Sequence, residues 1–281
     1  MKRLNRRARF PHRPWELKYR RALQPKLQAR ARRIVNRLAD SGVIQRFADY
    51  LRITYEQGIV RNARLAFDTA ADAKVLERLC KTASTEAWSA DKLAEEITKG
   101  IWTASSKQAF AKLGAKASWN LASPEVLRSI DRRQNLIAGV ADSQFARVRD
   151  VIRTRCYELG TSPVDSKVIS EIRTLAVKDA DWQAERIART EVAAVQSEAS
   201  YTVYSANGIE QKQWMTTGDD AVRDSHAELE GKTVGMDEPF SNGCMYPGDE
   251  SGEAGEVINC RCVLVPVVSS SLDPDDMDTG E

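Results

Sequence analysis

Nowhere do the 281 residues hold the 18 or more uninterrupted apolar residues that a membrane-spanning helix requires. The amino terminus also lacks the apolar core of a secretory signal. An Arg-rich, acid-poor start leaves a mitochondrial transit peptide as the one targeting alternative. The cysteines are five, an odd number, and scattered except for Cys260 and Cys262. Without a secretory context that pattern predicts reduced thiols and no disulfide framework. Glycine and proline are scarce between residues 63 and 159, which excludes a turn-rich β architecture there and favours helices. No internal repeat is present.

What the chain does have is charge, unevenly placed. Its formal net charge of +2 hides 13 Lys or Arg against the single acid Glu16 in residues 1–33, a local charge of +12 that leaves −10 for the rest. The last residues, 269–281, hold Asp273, Asp275, Asp276, Asp278 and Glu281 with no base, and read as a disordered acidic tail able to compete for the basic block. In the block itself Lys2, Arg3, Arg6, Arg7, Arg9, Arg13, Lys18, Arg20 and Arg21 alternate with Phe10, Trp15 and Tyr19. Such density points to a polyanion partner, bound without sequence preference by releasing counterions from phosphates, with the rings free to stack on unpaired bases. Pro11, Pro14 and Pro25 are expected to keep the block from forming one continuous helix.

Beyond it, Leu27, Ile34 and Leu38, then after Ser41-Gly42 Val43, Phe47, Tyr50, Leu51 and Ile53, recur at helical steps and predict one buried stripe per helix. Further helices are predicted over Ala63–Ala83, Thr85–Lys99, Ser105–Leu113, Pro124–Leu159 and Ser166–Val177. From Asp181, Ala188, Val192, Val195, Ala199 and Val203 mark another, closed by Asn207-Gly208. After Gly208 the composition changes to short strand-like runs, Ile209–Thr216 and Val257–Val268, around a turn-rich loop over 241–256. The expectation is an α+β fold: a basic arm (1–33, partly disordered), a helical region (34–180), a small α+β domain with a short sheet (181–268) and the tail (269–281).

Several residues recur in fixed order in that last domain. They are Arg189-Thr190-Glu191 on the helix, Trp214 on the next strand, and Asp220, Arg223 and His226 in DDAVRDSH. Gly231, Pro239-Phe240, Tyr246-Pro247-Gly248-Asp249 and Asn259-Cys260-Arg261-Cys262 follow, leading into a strand with Pro266. The ordered set resembles the phage Mu F-like minor head protein family. In one common form of that family a His-Pro pair precedes Asn-Cys-Arg-Cys; Val257-Ile258 stand there in this chain, which removes one candidate metal ligand. The resemblance implies a virion component of a tailed phage, not an enzyme. Such a protein acts at the portal or capsid interior in head assembly and DNA packaging or delivery, and meets the host cytoplasm only during assembly. Its implied partners are the portal or major capsid protein and non-specific DNA, with no membrane.

Individual residues allow sharper chemistry. His226 with Cys244, Cys260 and Cys262 would make a tetrahedral zinc shell. Yet Ile258, Cys260, Cys262 and Leu264 would also line one face of a strand, where cysteines serve as small core residues, and that reading is preferred. His226 oriented by Asp220, Asp224 or Glu228, with Arg223 as anion partner, would suit a zinc-dependent or His-based hydrolase or nuclease using His226, Cys260 and Cys262. No nucleophile stands in a recognisable relation to it. A cellular nucleic-acid-binding protein is the remaining competitor. Arg189 and Glu191, two apart on a helix, cannot face each other and are expected to bond separate strands or loops. Trp214 is expected in the core.

Overall fold

The computed structural model describes residues 13–56, 69–81, 91–159, 164–268 and 278. Lys2, Arg3, Arg6, Arg7, Arg9, Phe10 and nearly all of the acidic tail lie outside the described residues. The fold is α+β: among the described residues, six long helices are followed by a small antiparallel sheet and two single-turn helices. The helices are α1 (Arg13–Asp40), α2 (Val43–Glu56), α3 (Thr69–Lys81), α4 (Asp91–Lys112), α5 (Pro124–Leu159) and α6 (Ser166–Ala206). After them come β1 (Gln211–Met215), α7 (Asp224–Ala227), β2 (Thr233–Gly235), α8 (Ala254–Val257) and β3 (Val263–Val267). Among the described residues no helix is long and apolar enough to cross a membrane.

Two compact units emerge. One comprises residues 24–89 and 138–184. Its core is the predicted stripe, with Leu27, Ile34, Leu38, Val43, Phe47 and Leu51 buried, joined by Leu76, Val148, Ile152 and Ile172. Ile53 departs from that expectation and is exposed, while Tyr50 spends its hydroxyl on Asp72, 3.1 Å away. Arg30, also buried, donates to Gln144 at 2.9 Å, and Gln144 in turn donates to the carbonyl of Leu27, so this base of the basic block is used internally.

The other unit comprises residues 1–23, 90–137 and 185–281. Its sheet has the order β2-β1-β3, with Gln213 opposite Thr233 on one side and Val265 on the other. Lys212 and Trp214 point inward from β1 and are fully buried. Along α6 the predicted face of Ala188, Val192, Val195, Ala199 and Val203 is buried as expected. In α4, Gly100 allows a close approach: a Cβ there would stand 2.5 Å from the indole of Trp15. The helix runs unbroken through residues 100–104, where the sequence suggested a division between Lys99 and Ser105.

Three other sequence expectations are corrected. Residues 166–206 form one helix, not two, because Lys178 to Asp181 contain no residue that breaks it. The strand expected over 257–268 is confined to Val263–Val267, because Val257 closes α8 and Asn259 turns the backbone to φ 61°. Residues 13–33 are one continuous helix despite their prolines: Pro14 sits in the first turn, where no intrahelical donor is needed, and Pro25 lies inside α1. Burial of Leu23, Leu27, Ala31 and Val35 along the same helix offsets the lost hydrogen bond. Pro25 is itself exposed. Pro25→Ala should therefore stabilise the chain by about 2 kcal/mol, the ~3 kcal/mol helix penalty of proline less its restraint of the unfolded chain. Urea unfolding checks this; an unchanged or lower midpoint would contradict it.

Candidate functional site

The residues that the sequence singled out between 186 and 268 converge on one turn. Thr190 on α6 accepts the backbone N–H of Asn259 on its hydroxyl at 3.0 Å, and Arg189 Nη1 approaches the Asn259 side-chain oxygen at 3.5 Å. Asparagine tolerates the left-handed backbone better than most residues, which suits it to the 61° φ there. Arg223 donates to the carbonyls of Glu256 and Ile258, satisfying acceptors at the end of α8. Arg261 pairs with Asp219 at 3.2 Å. Asp220 is exposed and joins no part of this arrangement. Two glycines are tied to geometry as well. Gly231, at φ 73°, lets the chain turn so that its N–H donates to the carbonyl of Trp214 at 2.8 Å. Gly248, at φ 80°, lies against α6, where a Cβ would come within 3.1 Å of the Ala194 backbone. Asp249 staples the same loop by accepting from the N–H groups of Met245 and Ser251.

Behind the turn sits a buried cluster. His226 Nδ1 lies 3.5 Å from Cys262 Sγ and 3.8 Å from Cys260 Sγ, and all three residues are at most 3% exposed. Trp214 packs edge-on against the imidazole with centroids 5.1 Å apart, and Phe240 packs against Trp214 in the same manner. The carboxylate beside the imidazole is not Asp220, Asp224 or Glu228, which are all exposed, but Glu256, whose Oε2 lies 2.9 Å from Nε2. Nε2 makes no regular hydrogen bond there, and Trp214 Nε1 is likewise buried without a regular one, its neighbour being Cys262. Burial alone would raise the Glu256 carboxyl, yet bonds from Asn242 and Ser225 and the nearby His226 bring it below its ordinary value. Of the two thiols, Cys260 is the more readily ionised: a hydrogen bond from Cys262 outweighs burial, and His226 helps, bringing it below its ordinary value. Cys262 is pushed up correspondingly.

Cys244 is fully buried, but it is not among the three ligand-bearing residues that gather at His226; its sulfur instead faces Gly252. The row expected to include Ile258 is also shorter, since Ile258 is only half-buried while Cys260, Cys262 and Leu264 are inside.

A second polar centre was not foreseen. Arg133 on α5, 4% exposed at its side chain, reaches Glu191 at 2.9 Å and Glu198 at 3.7 Å and also pairs with Glu250. Ser129 and Arg132 hold Glu198 further. One guanidinium thus serves three carboxylates. Burial opposes the charge on Arg133, but Glu191 and Glu250 more than offset it and raise its proton affinity. Burial raises Glu191 despite Arg133, with Glu250 adding repulsion. As expected, Glu191 and Arg189 do not pair; Arg189 turns to Glu16 at 3.3 Å and Glu185 at 2.7 Å. In the basic block, Arg20 pairs with Glu185 and Lys18 with Glu96, Tyr19 is buried, and Arg13 and Arg21 are exposed. Tyr19 is therefore a core ring in place of a stacking platform.

Arg133→Met should destabilise the chain by about 3–5 kcal/mol at neutral pH, because it leaves buried carboxylates uncompensated. Glu191 carries a raised value, so its contribution is complete below the ordinary carboxylate range and is lost as pH rises through the raised one. The deficit of the variant should accordingly shrink on acidification. Urea midpoints at pH 7 and pH 5 measure this; a deficit that is absent, or that grows at pH 5, would refute it.

Comparison with known proteins matches residues 131–265 to the family described as phage Mu protein F like protein. The match begins well before the first motif, at Arg189, and takes in Arg133. The chain is 33% identical over 133 residues to the uncharacterized protein YqbB of Bacillus subtilis, covering 44% of this chain and 42% of that one. It is 41% identical over 92 residues to a protein of Enterococcus faecalis named NAD(+)--arginine ADP-ribosyltransferase EFV, covering 31% of this chain and 19% of that one. The chain thus spans less than half the length of either relative. No solved structure matches it.

Proposed function

With residues 131–265 belonging to the phage Mu F-like family, we propose that the chain is a minor head protein of a tailed phage. In this reading it serves head morphogenesis by adhesion, as a component of the particle or of its assembly, and not by catalysis. The observation that carries the reading is how the motif residues are spent. Arg189, Thr190, Arg223 and Arg261 all bond to the domain's own turns, and His226, Cys260 and Cys262 are buried together. Side chains used in this way hold a docking module in shape. A hydrolase or nuclease would need the same histidine to face a substrate.

The folded domain attaches to the portal or the capsid interior, and the basic block contacts DNA without sequence preference during packaging or delivery. The relative named as an ADP-ribosyltransferase shares only 19% of its length with this chain, and no transferase activity is carried over. Identification of the chain in purified immature or mature heads, in fixed ratio to the portal, tests the head role; absence from both would end it.

The DNA-binding role needs a variant that spares the fold, since removing residues up to 33 would take the buried Tyr19, Leu23 and Leu27 with it. Replacing Lys2, Arg3, Arg6, Arg7, Arg9, Arg13 and Arg21 by Gln leaves the Lys18 and Arg20 ion pairs in place. Filter binding of duplex DNA should weaken, with the slope of log affinity against log salt shallower by up to about 6, at roughly 0.9 for each phosphate that is no longer neutralised. Equal, salt-insensitive retention of both proteins would dispose of the DNA-binding role.

A further inference from the structure

We propose that His226 Nδ1, Cys260 Sγ and Cys262 Sγ are the protein ligands of a zinc ion in this chain. Among the described residues these are the three metal-ligating side chains that come together, with ligand atoms within 4.8 Å of one another. The spacing is that of a coordination shell. Zinc bonds of about 2.3 Å to sulfur and about 2.0 to 2.1 Å to nitrogen, at the tetrahedral angle, place the two ligand atoms about 3.5 Å apart. The observed separations are 3.5 and 3.8 Å.

The surroundings fit as well. Nδ1 faces the sulfurs while Glu256 stands 2.9 Å from Nε2, on the far side of the ring, where a carboxylate fixes the tautomer of a metal-bound histidine. Trp214 Nε1 and His226 Nε2 are buried donors with no regular partner. Neutral thiols are weak acceptors, whereas metal-bound thiolates beside Trp214 and a firmly oriented imidazole beside Glu256 would satisfy both. Charge also closes: two thiolates neutralise one divalent ion, so the buried site carries no net charge. Binding sends to solvent whatever protons the two sulfurs and Nδ1 still carry. Cys244, with its sulfur against Gly252, is outside the shell, so the fourth position falls to water or to a group from outside the chain. The ion would tie the turn after α8 to α7, fastening from within the turn that Thr190 and Arg189 hold from α6.

The test uses the full chain, stripped with chelator and titrated with Zn2+ and with Co2+. One metal per chain and thiolate-to-cobalt charge-transfer absorption are expected. Cys260→Ser, Cys262→Ser and His226→Ala should lose the metal, and Cys244→Ser should keep it. Glu256→Gln retains all three ligands and reads the site even if those variants fail to fold; its Zn2+ affinity should fall about 10- to 100-fold. A folded wild type that takes up no stoichiometric Zn2+, cobalt bound without thiolate absorption, metal lost on Cys244→Ser, or unchanged affinity in Glu256→Gln would each overturn the assignment.

Discussion

The hydrogen bond from the Asn259 N–H to Thr190 fixes the place where the chain must leave α8, reverse, and enter β3. With Asn259 at positive φ, the next residues alternate inward and outward, and Cys260, Cys262 and Leu264 fall on the buried side while Arg261 reaches Asp219. Arg189 and Arg223 brace the same turn from α6 and from the segment before α7. Motifs some 70 residues apart in sequence therefore form one structural device. That explains why they occur as an ordered set, and why no single piece of it is diagnostic alone.

A helix with so much polar work on its buried side needs compensation. Glu191 and Glu198 face inward from α6, and Arg133 on α5 is what makes their burial tolerable. An arginine suits the position because its planar fork can bond several carboxylates at once, which a lysine could not do from one point. The family match, which starts at residue 131, takes in Arg133 together with the three carboxylates it serves.

Much of the fold was legible because its signals are local. The stripe from Leu27 to Leu51, the break at Ser41-Gly42, the span of α5, the buried face of α6 and its stop at Asn207-Gly208 all follow from spacing and turn chemistry. What escaped depends on partners distant in sequence. Pro25 reads as a breaker until its helix has a core to bury in. Glu256 and Arg133 left no pattern at all: each is one charged residue among many, and only folding brings the first to His226 and the second to three carboxylates. The histidine and the cysteine pair were legible as chemistry, but their union, and the exclusion of Cys244, required the turn at Asn259.

Amide hydrogen exchange at Asn259 in Thr190→Val tests most directly whether α6 holds that turn. The substitution keeps the shape of the threonine and removes the acceptor. Exchange at Asn259 and its neighbours should accelerate about 5-fold, as expected for a hydrogen bond worth about 1 kcal/mol net, while amides in the middle of α6 keep their protection. Unchanged protection at Asn259 would show that the turn stands without the helix, and the account of these residues as one device would be wrong.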